Sequence, residues 1–465
     1  MSAPAPAAPA RPAVLDLPLL THRGSRNTRT TETVHGVDGR PLAALALAPD
    51  LLVAQSLRAL AGAAPPSAPE RAALLSEAAE RFLDDVLGGL SFAEHNAYVS
   101  RVSGHNAGLT EELGRAVALA LAEAPSRADR ARPVGSVRSW REVGRGGGSG
   151  VWTRSGETLA AVLSGNTPTI QNGWLQAFAL GYRVVVRPSR REPFTAFRTV
   201  LALRAAGAPD HAAVYLPTGH AGVAPLLRRA DLALVYGGDE VAARYRGAPD
   251  VKVAGPGRSK TLITAGRATD PGTVARAADS VAALSGAACV NTTAILVEGD
   301  HRRFARDLAE VLRARAEGRQ TTADHLGPRV SGEAAEALMD RLARVGARPV
   351  IPLGDVATPH PEGGVVLGPA VFTVDDPGDR LLAAELPFPC VWVAPWTPAD
   401  GVRPLRGSLV VNAVTDDPAW VDALLHEPGV GNVHVDVPTV HGDGHLPHEG
   451  YLGDFLMRNK AVVRA

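Results

Sequence analysis

Residues 159–191, LAAVLSGNTPTIQNGWLQAFALGYRVVVRPSRR, decide the fold. A short apolar run over 160–163 stops at Ser164-Gly165-Asn166-Thr167-Pro168, helical spacing follows over 173–180, and a second β-branched run covers 183–187. Strand, helix, strand within some thirty residues is the rhythm of a parallel sheet with crossover helices. The rhythm continues outward: a helix over 195–206, a strand over 213–216, a helix over 221–229 and a strand over 232–236. An α/β unit of the dinucleotide-binding type is therefore expected here.

The alternation resumes over 261–296 around a helix at 270–284, and a second α/β unit is expected from about 274 to 432. Upstream, 35–47 reads as a strand pair turning at Asp38-Gly39, and 62–68 as a Pro/Ala-rich linker. Residues 69–90 place Leu74, Leu75, Ala78, Phe82, Val86 and Leu87 on one side of a helix, and 109–124 repeats that pattern. Downstream, the alternation of Val433, Val435 and Val437 opens a terminal stretch that ends near Phe455 and Met457. It reads as an extended arm able to add a strand to a neighbouring subunit.

The chain of 465 residues carries 48 Lys+Arg against 48 Asp+Glu, a balance that excludes a dominant role on nucleic acid or on acidic membranes. With 45% hydrophobic residues it can bury a large core, and its Gly and Pro mark turns without a repeat. The Ala/Pro-rich start, Met1 to Val14, lacks a basic stretch followed by an apolar one, and no segment approaches the roughly 18–20 apolar residues that span a bilayer. A cytoplasmic protein with a disordered leader is expected. Two cysteines, Cys289 and Cys390, are too few for a disulfide scaffold.

Four places can carry chemistry. Cys289 follows Gly286-Ala287-Ala288 at a turn into a β-rich run, where main-chain N–H groups can stabilise a thiolate and an oxyanion; the other reading is a buried, inert thiol. Asn166, at the end of a parallel strand, is either an oxyanion donor or part of a helix cap. The strand over 183–187 ends in Arg187-Pro188-Ser189-Arg190-Arg191, suited to nucleotide phosphates or simply a solvated basic turn. Gly237-Gly238-Asp239-Glu240 turns from strand to helix where N–H groups could meet a pyrophosphate. His441, His445 and His448 could ligate zinc, but their Gly- and Pro-broken spacing is not a helical metal face, and no metal is expected. Cys390, in an expected strand, is assigned to structure.

Taken in order, these segments resemble the aldehyde dehydrogenase superfamily from about Glu70 to the C-terminus. The matching pieces are Gly165-Asn166-Thr167-Pro168, Val186-Arg187-Pro188-Ser189, Gly237-Gly238-Asp239-Glu240-Val241, Gly286-Ala287-Ala288-Cys289 and Glu385-Leu386-Pro387-Phe388-Pro389. The resemblance implies an α/β fold with a Rossmann-type cofactor domain, a catalytic domain and a small β oligomerisation arm. It implies Cys289 as nucleophile, Asn166 and the Cys289 N–H as oxyanion hole, and Glu385 on the nicotinamide ribose, with Arg187 and Ser189 on the adenosine ribose. Gly237 and Gly238 fall on the phosphate side. Pro387 stands where the family has Phe.

Two departures bear on the reaction. The family's water-activating Glu lies in Glu-Leu-Gly-Gly-Lys, whereas this chain has Ala254-Gly255-Pro256-Gly257-Arg258-Ser259-Lys260, without a carboxylate. That stretch is similar to the acyl reductase branch known from bacterial bioluminescence, which reduces acyl thioesters to aldehydes. Where NAD-using relatives often carry Glu after Lys-Pro-Ser, this chain has Arg190 and then Arg191, which implies NADPH. The expected reaction is NADPH-dependent reduction of an acyl-CoA or acyl-carrier-protein thioester through an acyl-Cys289 intermediate. The alternative is NAD(P)-dependent oxidation of an aldehyde to a free acid, with Asp239 or Glu240 as base. A non-catalytic nucleotide-binding member is the third reading. The expected organisation is a leader over 1–30, a cofactor domain over 31–132 and 151–273, a catalytic domain over 274–432, and an arm over 133–150 and 433–465 that makes a homodimer or higher oligomer.

Overall fold

Strand Arg183–Arg187 is buried along its whole length, as a central parallel strand covered on both faces must be. The computed structural model describes residues 14–319 and 324–465. In it this strand lies within a seven-stranded sheet ordered Val251–Ala254, Leu232–Tyr236, Thr158–Val162, Arg183–Arg187, Ala213–Tyr215, Leu19–Thr21, Gly24–Arg26. The first five are parallel and the last two antiparallel. The chain runs outward from Thr158–Val162 in one direction and then returns to its other side, so the switch point, and the crevice that goes with it, lies between Thr158–Val162 and Leu232–Tyr236.

One face of this sheet is packed by helices including Ala68–Asp84 and Ala107–Asp129 around Phe82, Leu121, Trp174 and Phe178. Ser67 and Glu70 start the first of these with a reciprocal capping box, satisfying two N–H groups that the first turn leaves open. The other face is covered by Asp50–Ala61 and Val223–Leu227.

A second seven-stranded sheet is ordered Arg348–Pro349, Ala370–Thr373, Cys390–Pro395, Thr292–Val297, Ser259–Ile263, Ser408–Val414, Val430–Val435, with every pairing parallel except that of Arg348–Pro349. Helices Pro271–Ala282 and His301–Glu317 pack one face, and Trp396, Leu405 and Leu424 close the other.

Three expectations need correction. The leader does not reach residue 30: Leu15–Leu17 pairs with Pro41–Ala46 and Leu19–Thr21 with Ala213–Tyr215, because Leu17, Leu19 and Leu20 are apolar enough to be drawn fully into the core. Residues 1–13 lie outside the described part. The boundary at 273/274 falls too late, since Ser259–Ile263 already belongs to the second sheet; a buried apolar run reads alike in either sheet. Val433 and Val435 lie in Val430–Val435, the edge strand of that sheet, rather than in an arm. What stands apart is a two-stranded ribbon, Gly147–Arg154 against Met457–Arg464, antiparallel over eight residue pairs. Among the described residues no helix is long and apolar enough to cross a membrane.

Candidate active site

The chemical segments meet where the two sheets face each other. The first sheet contributes the C-terminal ends of its strands, with Ser164 to Asn166 after one and Gly237 to Asp239 after another. The second contributes N-terminal edges: Gly257 and Arg258 precede Ser259–Ile263, Cys289 precedes Thr292–Val297, and Glu385 to Pro389 precede Cys390–Pro395.

The Cys289 turn is built by an unusual backbone run. Leu284, Ser285 and Gly286 are all left-handed, with φ of +54°, +56° and +66°. At Gly286 only glycine fits, since a Cβ would sit 2.3 Å from Pro389 N. Asn291, 2% exposed, ties the turn down: its Nδ2 donates to Ser280 O (3.0 Å) and Ala283 O (2.8 Å), and its Oδ1 accepts the Ala288 N–H (2.9 Å). From the facing loop Ser259 Oγ donates to Cys289 O at 2.9 Å, and Gly257 approaches so closely that a Cβ there would overlap that same oxygen at 1.7 Å. The carboxylate-free stretch is thus in direct contact with the cysteine backbone.

Asn166 reaches the same turn. Its Nδ2 donates to Ala287 O at 3.2 Å, which leaves the second amide hydrogen for another acceptor. Ser164 Oγ donates to its Oδ1 (2.6 Å), and the buried His105 holds its carbonyl oxygen through Nε2 at 2.9 Å. Among the described residues the Cys289 sulfur has one side-chain hydrogen-bond partner, Nε2 of His448, at 3.3 Å. Burial pushes the Cys289 thiol up to about 12, and the carboxylates of Glu449 and Glu385 push in the same direction.

Glu385 lies opposite, its Oε2 accepting the Arg258 N–H at 2.8 Å; burial raises its carboxyl above the usual range. Arg258 itself has φ +47°, and its guanidinium grips Asp239 across the cleft. Asp239 is therefore committed to an ion pair, and Glu240 is exposed on the helix Asp239–Arg244; neither contacts Cys289. On the cofactor side Arg187 is buried, donating through Nη2 to Thr218 O (3.1 Å) while its Nε has no partner. Ser189 packs on Gly165 and accepts the Arg191 N–H at 3.1 Å. Arg190 is not free for a phosphate: Nη1 is paired with Glu32 Oε2 at 2.8 Å and Nη2 lies 2.6 Å from His220 Nε2.

The three histidines separate. His445 binds Asp443 (3.0 Å) and Ser126 (3.1 Å), and His448 turns to the thiol. Among the described residues no group of three His, Cys, Asp or Glu side chains is placed to hold a metal ion. Cys390 is buried in its strand and burial raises its thiol pKa.

A sequence model described as the aldehyde dehydrogenase family matches residues 158–452 of the chain. The chain belongs to the aldehyde dehydrogenase family. No curated protein matches it. Solved structures of aldehyde dehydrogenases share its fold from end to end. An indole-3-acetaldehyde dehydrogenase complexed with NAD+ is 19% identical, with 97% of each chain covered and a TM-score of 0.80. KauB, an aldehyde dehydrogenase from Pseudomonas aeruginosa, gives the same three values. A gamma-glutamyl-gamma-aminobutyraldehyde dehydrogenase from Burkholderia cenocepacia is 20% identical over 97% of each chain, with a TM-score of 0.79. For an aldehyde dehydrogenase family member, several site residues were not singled out by sequence reasoning: Asn291, His105, Arg258 as a bridge, Glu32, and His448 and Glu449 at the thiol. Only His448 carried a signal, and it pointed to metal.

Proposed function

We propose that the protein is a nicotinamide-dependent oxidoreductase acting on a carbonyl group bound covalently to Cys289. The observation carrying this reading is the contact of Asn166 with Ala287 O, which sets an amide donor two residues from the thiol in the cleft between the sheets. Such a donor can stabilise the oxyanion that forms when sulfur adds to a carbonyl carbon.

The residues present fit a dinucleotide. The crevice at the switch point opens beside Gly238, where a Cβ would meet nothing, and on the strand next to Thr158–Val162 the buried Arg187 Nε has no partner. Arg187, Ser189, Gly237 and Gly238 would hold the nucleotide, and Glu385 the ribose next to the nicotinamide. The cofactor, when bound, takes or supplies hydride. The chain's own part is to add Cys289 to the carbonyl, hold the oxyanion with Asn166, and keep the carbon within reach of the crevice. The NADPH preference expected from Arg190 and Arg191 rests on Arg191 alone while Glu32 holds Arg190.

Two fates of the acyl-Cys289 group separate the detailed readings. Release by water completes the oxidation of an aldehyde to an acid, and the aldehyde dehydrogenases of like fold support this one. Exchange with the thiol of coenzyme A or a carrier protein makes the enzyme an acyl-thioester reductase; the carboxylate-free loop against Cys289 favours it. A reducing compartment such as the cytoplasm suits two free cysteines, and self-association through the ribbon completes the reading.

The test is to incubate purified protein with an aldehyde panel and NAD+ or NADP+, with and without coenzyme A, and in reverse with acyl thioesters and NAD(P)H, quantifying acid, thioester, aldehyde and free thiol. Acid from aldehyde without thioester turnover establishes the oxidising reading. Aldehyde and thiol released together establish the reductase. Full turnover by Cys289→Ala would overturn both.

A further inference from the structure

His448 belongs to none of the motifs that carry the family resemblance, yet its Nε2 is 3.3 Å from the Cys289 sulfur. Its place is fixed from both sides of the backbone: Asn432 Nδ2, on the edge strand of the second sheet, donates to His448 O at 2.7 Å, and Lys252 Nζ, on the edge strand of the first, donates to Glu449 O at 2.8 Å. One short segment is therefore anchored to both sheets, with the imidazole delivered to the thiol between the anchors.

The thiol needs such a partner. Burial and the two carboxylates hold it above the ordinary thiol range, so that the neutral thiol is favoured at pH 7. The titratable groups beside it are Tyr236, Glu385, Glu449 and His448; the two carboxylates disfavour thiolate, and burial holds the Tyr236 hydroxyl protonated. The facing loop, Gly255 to Lys260, offers no carboxylate. Among these groups the imidazole is the one whose nitrogen lies against the sulfur, and a neutral imidazole can take up the proton there.

We infer that His448 is the proton-transfer residue of this site, taking the proton from Cys289 Sγ as sulfur adds to the carbonyl and returning it when sulfur leaves. The inference rests on Cys289 being the nucleophile. On addition the S–H bond breaks with its proton going to Nε2, the S–C bond forms, and the carbonyl π pair moves to oxygen, facing Asn166. A nicotinamide held by Glu385 and the Gly237-Gly238 turn would accept the hydride that the carbon must lose to become a thioester; the part of His448 is then to give its proton to solvent. Water attacking that thioester passes a proton to Nε2, the S–C bond breaks, and the departing sulfur recovers the proton. In the thioester-reducing direction the proton that Nε2 takes from Cys289 leaves with the carrier thiol, and the same nitrogen, reprotonated from solvent, protonates sulfur as the thiohemiacetal collapses to aldehyde.

The experiment uses the full chain and reads the thiol directly: the rate of iodoacetamide modification at Cys289 against pH, localised by mass spectrometry, with buried Cys390 as internal control. Turnover is measured in parallel for wild type, His448→Gln, His448→Ala and Glu449→Gln. The glutamine keeps volume and a hydrogen-bonding tip but cannot shuttle a proton. Both His448 variants are expected to alkylate at least tenfold more slowly at pH 7, to need higher pH for the wild-type rate, and to lose about 10²-fold in turnover. Glu449→Gln, which removes a charge opposing thiolate, is expected to alkylate faster. Wild-type alkylation rates and pH profile in His448→Gln would overturn the assignment, as would slow alkylation confined to Glu449→Gln. If Cys289→Ala is inactive while His448→Gln is not, the inference fails and the covalent reading stands.

Discussion

Asn291 does more for the Cys289 turn than its place two residues beyond the cysteine suggests. It closes four main-chain hydrogen bonds around the turn from a buried position, and Asn291→Ala removes all four. Unfolding in denaturant is expected to show a loss of about 2–3 kcal/mol, with slower Cys289 modification. Glu32 has the opposite role, holding Arg190 away from any phosphate. Glu32→Gln removes the charged half of that hold, leaving the neutral contact of Nη2 with His220, and the KM for NADP(H) is expected to fall up to about fivefold relative to that for NAD(H), the partly exposed pair contributing no more than about 1 kcal/mol. An unchanged ratio would remove Arg190 from cofactor choice. Residues of this kind are hard to find in a sequence. Cys289, Asn166, Glu385 and Ser189 announce themselves by Gly and Pro at fixed offsets, whereas Glu32 and Arg190 are 158 positions apart and meet only through the fold.

Elements with strong local periodicity follow the reading closely. The strand pair around Asp38-Gly39, the helix Ala107–Asp129 and the strand Arg183–Arg187 are examples, whereas the helix expected over 69–90 stops at Asp84 and leaves Val86 exposed. What alternation does not encode is membership: Ser259–Ile263 and Val430–Val435 are ordinary apolar strands, and the sheet each joins is settled by chain crossings between lobes. The ribbon Gly147–Arg154 with Met457–Arg464 is the element left without a third strand, and it presents Val463 at 84% exposure. Val463→Asp is expected to leave the fold intact and to shift sedimentation toward the monomer. An unchanged sedimentation coefficient would exclude this face from self-association.

At the scale of the molecule, function arises because two sheets present opposite edges to one cleft. The first offers strand ends, as open α/β sheets do. The second offers strand beginnings, so that the loops entering its strands, rather than those leaving them, carry Cys289, Arg258 and Glu385. The Arg258–Asp239 pair and the Asn166–Ala287 hydrogen bond cross between lobes whose cores are otherwise separate. A dinucleotide held as proposed by Gly238 and Glu385 would touch both lobes. It is expected to stabilise the fold by about 2.7 kcal/mol at a hundredfold excess over Kd, raising Tm with concentration, and to do so less for Glu385→Ala. Calorimetry with and without cofactor checks this.

The three left-handed residues before Cys289 also bear on how this chain can change over generations. Ser285 has no need of its side chain, whose buried Oγ has no partner, while its φ of +56° costs an L-residue about 1 kcal/mol that glycine would not pay. Ser285→Gly should therefore raise Tm yet lower kcat, as a looser turn lets the sulfur wander from Asn166 and His448. A population screened only for heat resistance would drift toward glycine here, and one screened for turnover would drift back.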